Sequence, residues 1–117
     1  MSTPLGAGQA TARAGFDHLI HAPARLRICA ALDPAREIEF AALQALLSIS
    51  KSALSKHISA LAGAGYLSQR RAVRDTRQRV WLSLTQTGRV AYQGHVAALH
   101  QIVGDARADS PGPRSRP

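Results

Sequence analysis

Cysteine is almost absent from this sequence of 117 residues, which contains Cys29 alone. A single cysteine excludes an intrachain disulfide and a cysteine-based zinc cluster. Cys29 lies in an apolar helical stretch beside Ile28 and Leu32. We therefore expect a small buried hydrophobic side chain at this position, with a redox-sensing thiol as the alternative.

Acidic residues are also scarce, since 7 Asp and Glu stand against 15 Lys and Arg and give a formal net charge of +8. The carboxyl groups are scattered, so the sequence shows neither paired carboxylates nor a nucleophile–base arrangement of the kind that an enzyme needs. We expect no enzymatic activity and no cofactor. The positive charge instead favours an anionic partner.

The histidines form no recognisable metal-binding motif. No two of His18, His21, His95 and His100 have the i, i+4 spacing of a helical metal site, and no cluster of carboxylates accompanies them. His18 and His21 are three residues apart, a spacing that does not establish a site alone. We expect no bound metal.

Long apolar runs are missing as well. No segment approaches the roughly 20 apolar residues of a transmembrane helix, and the N-terminus lacks the pattern of a secretory signal. We expect a cytoplasmic protein with no membrane partner.

Aromatic side chains make up 4% of the sequence, so Leu, Ala, Ile and Val must build the core. Trp81 and Tyr66 have the chemistry to stack on the bases of single-stranded nucleic acid. Isolated aromatics on a small sheet more often pack within it, and we expect packing here.

Composition divides the chain into three parts. Residues 1–14 are rich in Ala, Gly, Thr and Ser without periodicity, which indicates a flexible arm. Residues 105–117 include Pro111, Pro113 and Pro117, which indicates a disordered basic tail. This tail either adds weak attraction to phosphates or only keeps the protein soluble. Residues 15–104 are expected to form one domain.

Apolar periodicity and capping residues predict the elements of this domain. Pro23 suits the first turn of a helix, Ser50 is a good N-cap, and Gly63 and Gly65 end the helix that Ser50 begins. Thr85 is placed to cap the last helix. The predicted helices are 16–21, 22–32, 40–47, 51–63 and 86–103, and the predicted strands are 37–40, 66–73 and 79–84.

This order of elements predicts a fold that is mainly α with a small β-hairpin wing (α+β). Residues 40–63 have the pattern of a helix-turn-helix whose second helix contacts DNA. Leu54, Ile58 and Leu61 are spaced i, i+4, i+7 and are expected to face the core. The hairpin that follows completes a winged helix-turn-helix.

Three segments in this order resemble the winged helix-turn-helix transcriptional regulators of the MarR and ArsR kind. The run LSKHISALAGAGYL at 54–67 is similar to their recognition helix and its exit into the wing. Asp75-Thr76-Arg77 is similar to a wing tip of the form D-x-R, and LTQTG at 84–88 to a motif L-T-x-x-G. Residues 16–28 are similar to the first helices of a compact subgroup, so the resemblance covers about 16–103.

The resemblance implies a DNA-binding regulator, with two departures. The chain is shorter than a typical MarR protein, whose longer dimerisation helices surround a ligand pocket. It also lacks the cysteine-containing metal motif of the ArsR sensors. Metal sensing and a large ligand pocket are therefore not implied, and a small-molecule effector is left open.

Candidate DNA contacts lie on the polar face of helix 51–61. Ser52, Ser55 and Lys56 lie opposite the apolar stripe and can bond to base edges or phosphates in a major groove. Lys51 in the first turn suits a phosphate. His57, at the flank of the stripe, either packs locally or contacts a phosphate. The alternative for the whole set is a solvated face without DNA contact.

The wing, residues 72–79, supplies a second group of candidates. Arginines around a hairpin tip can lie along the DNA backbone or enter a narrow minor groove. The candidates are Arg70, Arg71, Arg74, Arg77 and Arg79. Since Arg70 and Arg71 are neighbours on a strand, only one can face the DNA. By resemblance Arg77 is the minor-groove candidate and Asp75 its orienting partner, although Asp75 can also serve only as a turn former.

Surplus apolar surface on the N- and C-terminal helices predicts a C₂ homodimer. The predicted contact residues are Leu19, Ile20, Ile28, Leu32, Tyr92, Val96, Leu99 and Val103. A dimer would place two recognition helices about one DNA turn apart and would bind a pseudo-palindromic operator. Burial of both apolar faces within one chain is the alternative.

These observations together predict a sequence-specific regulator of transcription, a repressor by expectation, that binds double-stranded DNA. Helix 51–61 is expected to read the major groove, and wing 72–79 the flanking minor groove or the backbone. The alternative from another class is a winged helix that binds proteins, in which the arginines serve solubility alone.

Overall fold

A computed structural model describes residues 15–109, which form five helices and a three-stranded antiparallel sheet. The elements are α1 (His18–His21), α2 (Pro23–Leu32), β1 (Ile38–Glu39), α3 (Phe40–Leu47), α4 (Lys51–Gly63), β2 (Leu67–Arg74), β3 (Arg77–Leu84) and α5 (Gln86–Asp109). The strands are arranged in the order β1-β3-β2. The predicted winged helix fold is confirmed. The proposed arm, residues 1–14, and the last residues of the proposed tail, 110–117, lie outside the described residues.

The helix-turn-helix is formed by α3 and α4. Ser48 ends α3 in the left-handed conformation, with φ of 54°, and this sharp reversal lets the chain start a new helix three residues later, at Lys51. The Ser50 hydroxyl accepts a hydrogen bond from the Ala53 N–H at 3.1 Å, which satisfies one of the free donors at the start of α4. The predicted capping role of Ser50 is confirmed.

The hydrophobic core lies where α2, α3 and α4 pack against one face of the sheet. Its buried side chains are Ile20, Ile28, Cys29, Leu32, Leu43, Leu47, Leu54, Ile58, Leu61, Leu67, Leu82 and Leu84. Burial raises the pKa of the Cys29 thiol to about 11, so the side chain stays protonated and behaves as the small hydrophobe expected from the sequence.

Three of the residues predicted to contact a partner subunit belong to this core. Ile20, Ile28 and Leu32 have 0% of their surface exposed within the single chain. A side chain without exposed surface cannot contact a partner, so the prediction of dimer contacts at these three positions is wrong. The apolar spacing that suggested a second face on α2 reflects burial from two sides, by α1 and by the helix-turn-helix.

The segment LTQTG joins the sheet to α5 through close backbone contacts. Thr85 caps α5, since its hydroxyl oxygen accepts from the Gly88 N–H at 2.9 Å, and the same hydroxyl donates to the Gly65 carbonyl at 2.7 Å. The Thr85 N–H donates to the Tyr66 carbonyl at 3.0 Å. A Cβ on Gly88 would lie 2.0 Å from that carbonyl oxygen. The motif therefore fixes the end of α4 against the start of α5.

Several element boundaries differ from the prediction. The last helix was expected to end at residue 103, but α5 continues to Asp109, so residues 105–109 of the predicted tail are helical. Gly104 to Asp109 lack the apolar stripe that marks the helix before them, yet Ala106 and Ala108 favour helix. The hairpin strands also run further, to Arg74 and from Arg77. No helix within residues 15–109 has the length and apolar content needed to cross a membrane.

Candidate nucleic-acid interface

Helix α4 presents a polar face because the core holds its opposite side. Leu54, Ile58 and Leu61 are buried. The polar side chains of the other face are all exposed, and they are Lys51, Ser52, Ser55, Lys56 and Ser59. The hydrogen-bonding groups of this face are therefore accessible to a ligand, in the arrangement expected of a recognition helix, and the Ser52 hydroxyl also lies 3.5 Å from the Ser50 hydroxyl.

His57 lies between these two faces and is half-buried. The Arg25 guanidinium of α2 donates to the His57 Nδ1 at 3.2 Å. Burial, followed by the neighbouring charges of Arg25 and Lys56, lowers the pKa of this imidazole below its usual value. The structure thus packs His57 against α2, which is the local role considered above, and it supplies no further support for a phosphate contact.

The wing ends in a tight two-residue turn. Asp75 and Thr76 have φ of 51° and 60°, as in a type I′ turn, whose twist matches that of a β-hairpin. The turn pairs Arg74 with Arg77 across the strands. Asp75 is therefore a turn residue in the structure, and no hydrogen bond or ion pair within residues 15–109 joins it to Arg77.

Strand alternation places the wing arginines on two faces. Arg71 pairs across the strands with Val80, two residues from buried Leu82, so its side chain lies on the core face of the sheet, which α4 also adjoins. Arg70 pairs with Trp81 on the opposite, outer face. The sequence required that only one of these two neighbours face the DNA, and the structure shows that Arg71 is on the side of α4. The other arginines of the outer face are Arg74, Arg77 and Arg79.

A groove of about 470 Å³ lies between α3, α4 and the wing. Lys51 and Ser55 of α4 line one side, and Arg71 of β2 lines the other, together with Arg79 of β3 and its partner Glu39. Three glutamines that the sequence analysis did not select also line it, and they are Gln44, Gln69 and Gln78. Gln69 could have been found, because it lies two residues from Arg71 on the same face of a strand. The groove offers positive charge and amide hydrogen bonds together, which suits a phosphate backbone with adjacent bases.

Two of the predicted DNA-binding arginines are held by carboxylates in β1 or directly before it. Arg70 donates through Nε and Nη2 to the Glu37 carboxylate at 2.9 and 2.8 Å, and its guanidinium lies 5.7 Å from the centre of the Trp81 ring. Arg79 donates to Glu39 at 2.8 Å. Arg71, Arg74 and Arg77 make no side-chain hydrogen bond or ion pair with any residue from 15 to 109. These last three are the free cations of the wing.

A polar network connects the start of α1, α5 and Tyr66, the residue that precedes β2. The buried His95 of α5 accepts the Asp17 N–H at Nδ1, 2.9 Å away, so its Nε2 carries the hydrogen and donates to Nδ1 of His21 at 3.2 Å. The Asp17 carboxylate accepts from the Tyr66 hydroxyl at 2.6 Å, which raises the pKa of Tyr66 to about 12. Sequence reasoning missed this pair of histidines because 74 residues separate them. Tyr66 packs within the protein, as expected.

Comparison with known proteins identifies the family. Residues 24–103 match the family model described as a winged helix DNA-binding domain. The chain therefore belongs to this family of winged helix DNA-binding domains, and the resemblance to winged helix regulators is confirmed. No match was found among curated protein sequences.

Solved structures with the same fold include transcriptional regulators. The transcriptional regulator homologue from Pyrococcus horikoshii OT3 is 24% identical, with a TM-score of 0.73 over 77% of this chain and 89% of that one. NolR from Sinorhizobium fredii is 29% identical, with a TM-score of 0.60 over 89% and 96%. The heme sensor PefR from Streptococcus agalactiae, in complex with heme, is 19% identical, with a TM-score of 0.69 over 93% and 82%.

Proposed function

We propose that this protein is a transcriptional regulator, in the simplest case a repressor, that binds double-stranded DNA sequence-specifically as a homodimer. The observation that carries the proposal is the groove between α4 and the wing, in which Lys51, Ser55 and Arg71 face one space. A protein-binding winged helix has no need to collect cations and amides in one groove. A DNA partner also implies that the protein works in the cytoplasm.

Each part of the interface is assigned a distinct role. The exposed Ser52, Ser55 and Lys56 of α4 are proposed to read base edges in the major groove. Lys51 and Arg71 are proposed to hold the phosphate backbone beside that groove. Arg74 and Arg77 project from a tight, exposed turn and are proposed to reach the flanking minor groove or its backbone.

The homodimer is proposed to form through α5. This helix of 24 residues is roughly 36 Å long at 1.5 Å per residue. Its first half packs on the core through Tyr92 and His95, whereas Val103 is 53% exposed. Leu99 and Val96 are half-buried between these regions. An apolar stripe that continues past the core is best explained by a second copy, which would present two recognition helices to a pseudo-palindromic operator.

The test uses single substitutions in the full chain. Lys56→Ala is expected to weaken binding to the duplex upstream of the protein's own gene by about tenfold and to relax sequence preference, since base contacts are worth about 1–3 kcal/mol each. Arg77→Ala should weaken binding as well and reduce the salt dependence by about 0.9 in log–log slope for one phosphate contact.

The matched control is Arg27→Gln, which removes one positive charge from the exposed surface of α2. It should leave affinity nearly unchanged. Equal effects of all three substitutions would overturn the assigned interface. A wild-type protein that binds no duplex even at low salt would overturn the DNA role and favour a protein-binding module.

A further inference from the structure

On the outer face of the wing, two of the four arginines are paired with carboxylates. Glu39 pairs across the sheet with Trp81, so its side chain lies on the outer face, beside Arg79 two residues along β3. Glu37 is two residues before Glu39. Arg70, on the far strand β2, reaches Glu37 by lying over the intervening Trp81 ring. Two guanidinium groups are thereby neutralised by two carboxylates of one short segment.

The geometry of these pairs is specific. The Arg70–Glu37 contact is bidentate, with both carboxylate oxygens engaged, and bidentate pairs fix the orientation of the guanidinium as well as its charge. The hydrogen bond from Arg70 lowers the pKa of the Glu37 carboxyl, so this group is ionised at neutral pH. The Arg79–Glu39 pair is less exposed, with side chains 32% and 20% accessible.

Among residues 15–109, no carboxylate pairs with the arginines at the tip of the wing. Arg74 and Arg77 pair only with each other's backbone across the turn, and Arg71 faces the groove beside α4. Charge on the wing is therefore divided between two arginines neutralised by carboxylates, Arg70 and Arg79, and three that are not, Arg71, Arg74 and Arg77. Since attraction to phosphates grows with each free cation, this division limits the contacts that any duplex can recruit.

We propose that Glu37 and Glu39 are specificity-determining residues, which neutralise the charges of Arg70 and Arg79 and so suppress binding to non-specific duplex. The proposal rests on the proposed function, because it concerns the same interface. Its consequence is that three wing arginines, Arg71, Arg74 and Arg77, contact phosphates, whereas Arg70 and Arg79 do so only after their carboxylate partner is removed.

The experiment measures binding of the full-length protein to a random-sequence duplex over a range of salt concentrations. Glu37→Gln and Glu39→Gln should each bind severalfold more tightly at low salt, with a log–log salt slope steeper by about 0.9 for the released arginine. Asp33→Asn is the control, because it removes the same charge from an ion pair with Arg89 of α5, outside the wing. Its slope should equal that of the wild type.

A double variant separates release of the arginine from simple loss of repulsion between carboxylate and phosphate. Arg70→Gln should leave the slope unchanged when Glu37 is present and should lower it by about 0.9 when residue 37 is glutamine. Additive effects, or a Glu37→Gln slope equal to that of Asp33→Asn, would overturn the proposal while wild-type binding kept the DNA role intact. Absence of binding by every protein would overturn the DNA role itself.

Discussion

At the residue scale, the structure gives neighbouring arginines different environments. Arg70 and Arg71 are adjacent in sequence, yet one is paired with Glu37 on the outer face and the other is free beside α4. The alternation of strands predicted that they would differ, but the sequence could not show which one faces α4, because that depends on strand register. The partner Glu37 lies 33 residues away and was equally hidden.

The buried histidine His95 makes stability depend on pH. Burial, followed by His21, lowers the pKa of His95 below its usual 6.5. Both ring nitrogens are occupied in the neutral form, and protonation would place a hydrogen at Nδ1 facing the Asp17 N–H. The unfolded chain therefore binds a proton more readily, so the free energy of unfolding should fall as the pH drops below about 6.5.

Denaturant unfolding at pH 7 and pH 5 tests this dependence. The His95→Gln variant should have a lower free energy of unfolding at pH 7 than the wild type. Between pH 7 and pH 5 its free energy of unfolding should fall much less than that of the wild type. His57→Gln is the comparison variant. The pKa of His57 is also lowered, but His57 contacts Arg25 and takes no part in the His95–His21 pair. If His95→Gln retained the full decline, the neutral His95–His21 pair would not be its source.

At the element scale, the capping residues of the helices were well predicted, whereas the ends of several elements were not. Ser50 and Thr85 cap α4 and α5 as their sequence positions indicated. The helix α5 passes residue 103 because helix continuation needs no apolar stripe, only residues of adequate propensity. The strand β1 has only two residues, since Phe40 already begins α3.

The junction between α4, β2 and α5 depends on a glycine without space for a side chain. Gly88→Ala would place a Cβ against the Tyr66 carbonyl, and both are backbone groups that cannot rotate away. We expect a loss of about 3 kcal/mol in the free energy of unfolding. Gly104→Ala, in the same helix with nothing near its Cβ, should instead gain about 0.5–1 kcal/mol. Equal effects in thermal or denaturant unfolding would contradict this account of the junction.

At the scale of the whole molecule, the hydrophobic pattern predicted the fold. It did not show which apolar residues pack in the core of one chain and which remain exposed. Periodicity identifies an apolar face but cannot distinguish burial in one chain from burial against a partner. Hence Ile28 and Leu32 proved to be core residues, while Val103 stayed exposed. The glutamines of the groove were missed because amide side chains are uncharged and so do not belong to the clusters of positive charge in the sequence.

A charged substitution on α5 tests the proposed dimer. Val103→Lys should lower the apparent mass in sedimentation or light scattering toward that of one chain, because lysine is costly to bury without a partner. Val73→Lys is the control, since Val73 is 74% exposed on the wing. Retention of a dimer by Val103→Lys would place the interface elsewhere.

The central claim is that α4 and the wing bind double-stranded DNA sequence-specifically. The most direct measurement is fluorescence anisotropy of the wild-type protein with the duplex upstream of its own gene and with a scrambled duplex, over a range of salt. The account predicts preference for the native duplex and a slope of about −0.9 for each phosphate contact. Absence of binding to either duplex at low salt would contradict it.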